Sequence, residues 1–177
     1  MLAAFLAYNT YKLTITFFEL APEKFSPLAM GVSAIAFTFL ITGVLAFLGF
    51  VYPTNRILPK KYYQIESPKR LHKWYTWLGV GYFRWFLLKT FYRKKENKKY
   101  FNGTKSGILR FDYNTKQSEF GHLMAFILVL ALSLVLLFKG HTYVFMYMQP
   151  LNIILNFYPI LLQRKHRIPI QRLLKKM

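Results

Sequence analysis

The chain has 177 residues, of which 54% are hydrophobic and 19% aromatic, a composition unlike that of a soluble domain. It contains no cysteine, which excludes disulfides, thiolate metal sites and a cysteine nucleophile. A net charge of +19 would suit a nucleic-acid binder, but the basic residues are sharply segregated from long apolar runs, as in membrane proteins. We therefore expect an all-α polytopic membrane protein, a single integral membrane domain over residues 1–177 that binds no nucleic acid.

Residues 1–18 form the first apolar segment and are predicted only as a possible span. Lys12 lies near the middle of this segment, where a lysine costs about 2.5–3.5 kcal/mol on insertion scales. A secretory signal is disfavoured, since no basic region precedes the apolar run. Three or four spans thus remain open, and the N-terminus is cytoplasmic only with four.

Residues 28–52 carry no charge and form the surest span. Residues 53–120 then contain 16 Lys or Arg against four acids, and six more basic residues follow Leu162. Because cytoplasmic loops are rich in Lys and Arg, segment 53–121 and the C-terminus are predicted to be cytoplasmic. We expect a multi-pass protein of the cell membrane.

The cytoplasmic segment is predicted to lie at the membrane surface. Residues 70–92 mix aromatic and basic side chains, which favours a flat interfacial helix, although the break at 79–81 would also permit a shallow re-entrant hairpin. The basic run 93–99 is either a solvated topological determinant or a collar that attracts anionic headgroups or donor phosphates. Turn signals around residues 108–111 predict a short extended element that caps the site.

Two further spans, 122–138 and 143–162, are roughly 26 and 30 Å long at 1.5 Å per residue. Their link is short enough to require an antiparallel helical hairpin, followed by the basic tail 163–177. This hairpin is predicted to bring Glu119 and His122 to the depth of Gln163 and Arg164.

Glu119 and His122 are three residues apart, so a helix places them on one face. The carboxylate would fix the imidazole tautomer, and the free ring nitrogen could then take a proton from a hydroxyl. Alternatively, Ser118 caps the helix, Glu119 favours its positive end and His122 is an interfacial histidine.

The return span carries rare polar groups. Asn152 and Asn156 are one turn apart, and Pro159 leaves the carbonyl of Leu155 without its helical donor. Polar groups at this depth either line a site or join helices. Gln163 and the arginine beside it could donate to a carbonyl oxygen that becomes negative during acyl transfer, or simply anchor the helix at the interface.

The sequence lacks the motifs that other catalytic mechanisms would need. A di-iron site would need a second Glu-x-x-His, no Gly-x-Ser-x-Gly elbow is present, and no histidine begins a His-x-x-x-x-Asp motif. We expect no metal and no bound cofactor.

Two motifs carry a resemblance to a known family. Residues 118–122 read SEFGH, an acidic-x-x-His entry to a span, and residues 156–167 read NFYPILLQRKHR. With them the chain resembles, best over 28–174, the glycosyl-4,4'-diaponeurosporenoate acyltransferases, which complete staphyloxanthin-type carotenoids. It departs from that family at Lys165-His166, where a Tyr-Asn pair is usual, and at 168–170, where the family closes with Arg-Leu.

The resemblance implies transfer of a fatty acyl group to a sugar hydroxyl of a lipid glycoside. The donor would be an acyl-CoA or an acyl carrier protein, and the partners would include membrane lipids. His122 would be the general base, and Glu119 would orient it. Arg164 and Gln163 would stabilise the oxyanion or hold donor phosphate, and Asn156 would position the sugar or brace the hairpin. Arg167 is assigned to the same substrate and oxyanion site. The alternative is a non-enzymatic membrane module that binds anionic lipid or carotenoid and scaffolds other enzymes. Donor, chain length, acceptor and oligomeric state stay open.

Overall fold

The computed structural model describes residues 1–90 and 104–176, and its regular elements within those ranges are all helical. The all-α prediction is therefore confirmed. The α-helices are α1 Leu2–Glu19, α2 Pro27–Val51, α3 Lys60–Tyr63, α4 Pro68–Trp77, α5 Val80–Thr90, α6 Lys105–Phe138, α7 Thr142–Asn152 and α8 Tyr158–Leu174.

Three helical stretches are long and apolar enough to cross a membrane: Pro27–Val51, Lys105–Phe138 and Thr142–Leu174. They contain almost all of the predicted spans 28–52, 122–138 and 143–162, which confirms a polytopic membrane protein. Helix α1, Leu2–Glu19, is not among the three. The possible span at residues 1–18 stays a prediction.

The first of two compact units comprises Met1–Thr54 and Gly121–Phe157. Helix α2 buries a stripe spaced four, three and four residues apart, while apolar side chains such as Leu28, Val32 and Phe39 are exposed, as expected for a helix against lipid. The buried core joins α1, α2, the second half of α6 and α7. Its members are Phe17, Met30, Ala34, Phe37, Ile41, Val129, Leu136, Val144 and Met148.

A buried histidine fixes α1 within this unit. His141 lies in the link between α6 and α7, and its Nε2 is 2.7 Å from the carbonyl oxygen of Phe17. Because a carbonyl only accepts, Nε2 carries the proton. The imidazole also packs edge-on against Phe17 and Phe25.

The second unit comprises Asn55–Phe120 and Tyr158–Met177. Its apolar cluster centres on Tyr75, Val80 and Leu162. The predicted break in the aromatic segment falls at Gly79, whose φ of +68° ends α4 before α5 begins. The choice between interfacial helix and re-entrant hairpin stays a prediction, as does the single membrane domain.

The predicted extended element at residues 108–111 is wrong, because these residues belong to α6. The turn-forming residues that suggested it are satisfied within the helix. Asp112 pairs with Lys116 one turn later at 2.5 Å, and the Thr115 hydroxyl donates to the carbonyl of Asp112. Ser118 consequently lies inside α6 and does not cap it. The basic run 93–99 and the neighbouring turn signal at 102–103 lie outside the described residues.

The return helix is not uniform. Between α7 and α8, Ile153–Phe157 forms a π-helical turn, and α8 continues to Leu174. The predicted basic tail 163–177 is thus largely the second half of α8. Asn156 lies within the π-helical turn.

Candidate functional site

Four polar side chains of the first unit form what we call the histidine–asparagine network: Thr42 of α2, His122 of α6, Asn152 of α7 and Asn156 of the π-helical turn. Nδ1 of His122 lies 3.3 Å from Oδ1 of Asn156. The Asn156 amide nitrogen donates to Oδ1 of Asn152 at 3.0 Å. The Thr42 hydroxyl lies 3.1 Å from the Asn156 nitrogen and 3.2 Å from its oxygen.

The backbone explains why the two asparagines meet. They are four residues apart, and the π-helical turn that follows Asn152 widens the helix where Asn156 projects. Such turns are frequent at functional sites because they reposition a side chain without ending the helix. The predicted common stripe of Asn152 and Asn156 is confirmed by their hydrogen bond.

The hydrogen bonds of the network fix which side-chain atoms donate and which accept. Asn152 donates its amide nitrogen to the carbonyl of Phe126 at 3.0 Å, so its oxygen faces Asn156. Asn156 must then present its nitrogen to Asn152 and its oxygen to His122. Since an amide oxygen only accepts, Nδ1 of His122 carries the proton, and Nε2 of the neutral ring holds the lone pair.

The imidazole has a second acceptor nearby. The carbonyl of Leu155, the group that Pro159 was predicted to leave without its helical donor, also lies near the ring. Asn152 and Asn156 are buried, whereas His122 is only partly so. The two buried asparagine amides therefore hold a partly accessible imidazole in one tautomer.

The second unit contains what we call the arginine–glutamate cluster: Glu119, Arg164 and Arg167 with Tyr62, Tyr63 and Tyr75. Glu119 is completely buried and uses both carboxylate oxygens. Its Oε1 accepts from Nε of Arg164 at 2.8 Å, and its Oε2 lies 2.5 Å from Nη1 of Arg167. The two arginines are three residues apart on α8 and so share a face.

Helix α3 supplies the other wall of this cluster. Nη2 of Arg164 donates to the carbonyl of Tyr62 at 2.7 Å, and each guanidinium stacks on a tyrosine ring, Arg164 on Tyr62 and Arg167 on Tyr63. Gln171 fastens the same segment by donating to the carbonyl of Tyr63 at 3.0 Å. Burial first, and then the neighbouring carboxylate, raises the pKa of Tyr62 to about 12.

The predicted site residues are thus divided between two constellations. Glu119 joins the arginines, Asn156 takes the position beside the imidazole that was predicted for Glu119, and Gln163 donates to Ser118 at 3.2 Å. The arginine that completes the cluster, Arg167, is fully buried. Within residues 1–90 and 104–176, no group of three or more His, Asp or Glu side chains is arranged to hold a metal ion.

Sequence reasoning missed the tyrosines of the cluster and Thr42. Tyr62 contacts Arg164 across 102 positions, and Thr42 contacts Asn156 across 114. No periodicity of the sequence marks such pairs. The adjacent pair Tyr62-Tyr63, three residues after Pro59, was the one local signal, and aromatic pairs are common at membrane surfaces without a functional role.

The fold and its polar groups define a helical membrane protein with a tautomer-fixed histidine suited to proton transfer. A family model, glycosyl-4,4'-diaponeurosporenoate acyltransferase, matches residues 59–176, about two thirds of the chain, and the chain belongs to this family. This is an acyltransferase family of carotenoid biosynthesis. The matched region includes Glu119, His122 and Asn156. No curated protein and no solved structure matched the chain significantly.

Proposed function

We propose that this protein is a membrane O-acyltransferase that moves a fatty acyl group from a thioester donor to a sugar hydroxyl of a glycosylated carotenoid or a similar lipid glycoside. Family membership supports the acyl transfer. The observation that carries the catalytic assignment is the hydrogen bond from Nδ1 of His122 to Asn156, because it leaves Nε2 as a proton acceptor.

In the proposed reaction, the sugar oxygen attacks the carbonyl carbon of the thioester while Nε2 of His122 removes the hydroxyl proton. The tetrahedral intermediate then breaks its carbon–sulfur bond. The imidazolium returns the proton to the departing thiolate, so the products are an ester and a free thiol, and the histidine ends neutral. Asn156 is a positioning residue in this scheme, and it replaces Glu119 as the group that orients the imidazole.

We place the reaction at the cytoplasmic face of the cell membrane, with the C-terminus in the cytoplasm. The support is the distribution of charge, with 16 Lys or Arg in residues 53–120 and six more after Leu162. Acyl-CoA and acyl carrier protein, the two candidate donors, are cytoplasmic molecules.

The test is mass spectrometry of lipid and pigment extracts from cells supplied with a glycosylated carotenoid precursor. The wild-type chain should produce a new ester, and His122→Ala should lower its amount by about a hundredfold or more while the protein still inserts. The matched control is His72→Ala, since His72 is an exposed histidine of α4. Normal product from His122→Ala would refute the assignment, and unchanged extracts from inserted wild-type protein would favour the non-enzymatic module.

A further inference from the structure

The arginine–glutamate cluster holds one more positive charge than negative charge. Arg164 and Arg167 carry two guanidinium groups, and Glu119 is the one acid among the described residues that pairs with them. The side chains of Arg167 and Glu119 are both 0% exposed. Buried charge is strongly unfavourable unless it is balanced and hydrogen-bonded, so the cluster lacks one negative charge.

The same cluster also has donors that the described residues do not use. Nε and Nη2 of Arg167 are buried without a hydrogen-bond partner, and Nη1 meets Glu119 as an ion pair only. The hydroxyls of Tyr63 and Tyr75 are likewise buried and unpartnered. Burial raises the pKa of both phenols to about 12, so at neutral pH they are protonated and able to donate. Buried polar groups normally find partners, which points to a ligand.

We propose that the arginine–glutamate cluster binds a phosphate group, and that this phosphate belongs to the thioester acyl donor. A site with surplus positive charge and free donors requires an anionic ligand rich in acceptors, and the planar guanidinium matches phosphate oxygens two at a time. A neutral sugar does not meet that requirement. Coenzyme A and the phosphopantetheine arm of a carrier protein both do. The identity of the donor rests on the proposed function, but the phosphate site does not.

Arg164 is the accessible end of the cluster. Its side chain is 28% exposed, whereas Arg167 is completely buried. Nε and Nη2 of Arg164 are engaged by Glu119 and by the carbonyl of Tyr62, which leaves Nη1 for a ligand. Stacking on the Tyr62 ring holds the guanidinium plane in place. A phosphate therefore meets Arg164 first, and the unused donors of the buried residues complete its coordination.

The experiment is calorimetric titration of the full-length protein, purified in a phosphate-free non-ionic detergent, with coenzyme A that carries no acyl group. Binding can then be measured without turnover. We expect coenzyme A to bind and pantetheine, which lacks phosphate, not to bind. Arg164→Gln should weaken binding about tenfold or more. Arg70→Gln is the matched control, because Arg70 is an exposed arginine of the same unit.

Tyr75→Phe keeps the test decisive if Arg164→Gln does not fold, since it removes only a hydroxyl from a buried ring. It should weaken coenzyme A binding about tenfold or more, by the loss of one hydrogen bond to a charged group. Failure of coenzyme A to bind, or binding that ignores both Arg164→Gln and Tyr75→Phe, would overturn the proposal.

Two further arms identify the source of the phosphate and separate the two proposals. In the first arm, nanodiscs of phosphatidylglycerol replace coenzyme A as the ligand. If the protein binds them with the same dependence on Arg164 and does not bind coenzyme A, the site belongs to a lipid headgroup and the donor assignment is overturned. His122→Ala should bind coenzyme A normally although it makes no ester. Coenzyme A binding by a wild-type protein that forms no ester would sink the proposed function and leave the phosphate site standing.

Discussion

At the scale of single residues, Asn156 sets the tautomer of His122. An asparagine offers both a donor and an acceptor, and here Asn152 takes the donor, so the acceptor faces the imidazole. The orientation of Asn152 is in turn fixed by the carbonyl of Phe126, which can only accept. A backbone group thus determines, through two amides, which nitrogen of the histidine is basic.

Replacing Asn156 by leucine should therefore impair proton transfer more than substrate binding. We expect Asn156→Leu to lower kcat on the order of tenfold or more, with little change in KM, because the imidazole loses the acceptor that selects its tautomer. Steady-state kinetics in detergent would measure the split. In the background of His122→Ala the same change should add almost nothing, since both substitutions act on one group.

The matched control for Asn156→Leu is Gln149→Leu. Gln149 also bridges to α6, through Ser133 at 2.9 Å, but it does not contact His122. Loss of an interhelical hydrogen bond in a membrane protein costs about 0.6 kcal/mol on average, so its effect should be on stability and not on kcat. Equal losses of kcat in the two variants would show that Asn156 is only a packing residue.

Glu119 is the central charge of its cluster, and its removal should be costly. Glu119→Gln would leave two guanidinium groups without their carboxylate, one of them fully buried, and should destabilise the protein by about 3–5 kcal/mol. Thermal unfolding in detergent would measure the loss. Arg167→Met added to Glu119→Gln should recover part of it, because the uncompensated buried charge is removed.

Asp112→Asn provides the comparison on the same helix. Asp112 pairs with Lys116 in the (i, i+4) relation, with the lysine side chain 28% exposed. Such a pair contributes about 0.2–0.5 kcal/mol. If Asp112→Asn and Glu119→Gln were equally destabilising, the special role of the buried cluster would be refuted.

At the scale of elements, α6 is longer than a membrane requires. Its 34 residues extend about 51 Å, whereas the hydrocarbon core is about 30 Å thick. The charged side chains Asp112, Lys116 and Glu119 all lie in its first half. The second half contains the predicted span, which explains why the charge-free apolar run located the span but not the start of the helix.

The link between α6 and α7 depends on one glycine. Gly140 has a φ of +89°, and a Cβ added there would lie 3.2 Å from Cγ of Pro22. Gly140→Ala should destabilise the protein by about 1–3 kcal/mol, because a side chain adds strain in this backbone conformation. Thermal unfolding would measure it against Gly31→Ala, where the new methyl group meets no atom within 4 Å. Similar melting temperatures for the two variants would contradict the requirement for glycine.

At the scale of the whole molecule, the predicted topology can be tested directly, since the chain has no cysteine and single cysteines can be introduced without background. Lys175→Cys should react with a membrane-impermeant maleimide only after permeabilisation, and Lys139→Cys should react in intact cells. The reverse pattern would refute the cytoplasmic C-terminus. Leu2→Cys decides between three and four spans, because the N-terminus is cytoplasmic only if α1 crosses the membrane.

The amino-acid sequence by itself determined the all-α class, the three long apolar spans and the break within residues 79–81. It also identified Asn152 and Asn156 as neighbours, since they are one turn apart on one helical path. These features depend on local composition and periodicity, which a single segment contains in full. The same local reasoning failed at residues 108–111, where turn-forming side chains are satisfied inside a helix.

Only the tertiary structure decided which partners the polar residues take. Glu119 lies 45 positions from Arg164, and Thr42 lies 114 positions from Asn156. A membrane helix such as α2 is apolar around its whole circumference, so its sequence does not reveal which face packs against protein and which faces lipid. The pairing of Glu119 with arginines, and of His122 with Asn156, follows from which helix faces pack together. The sequence alone therefore could not predict it.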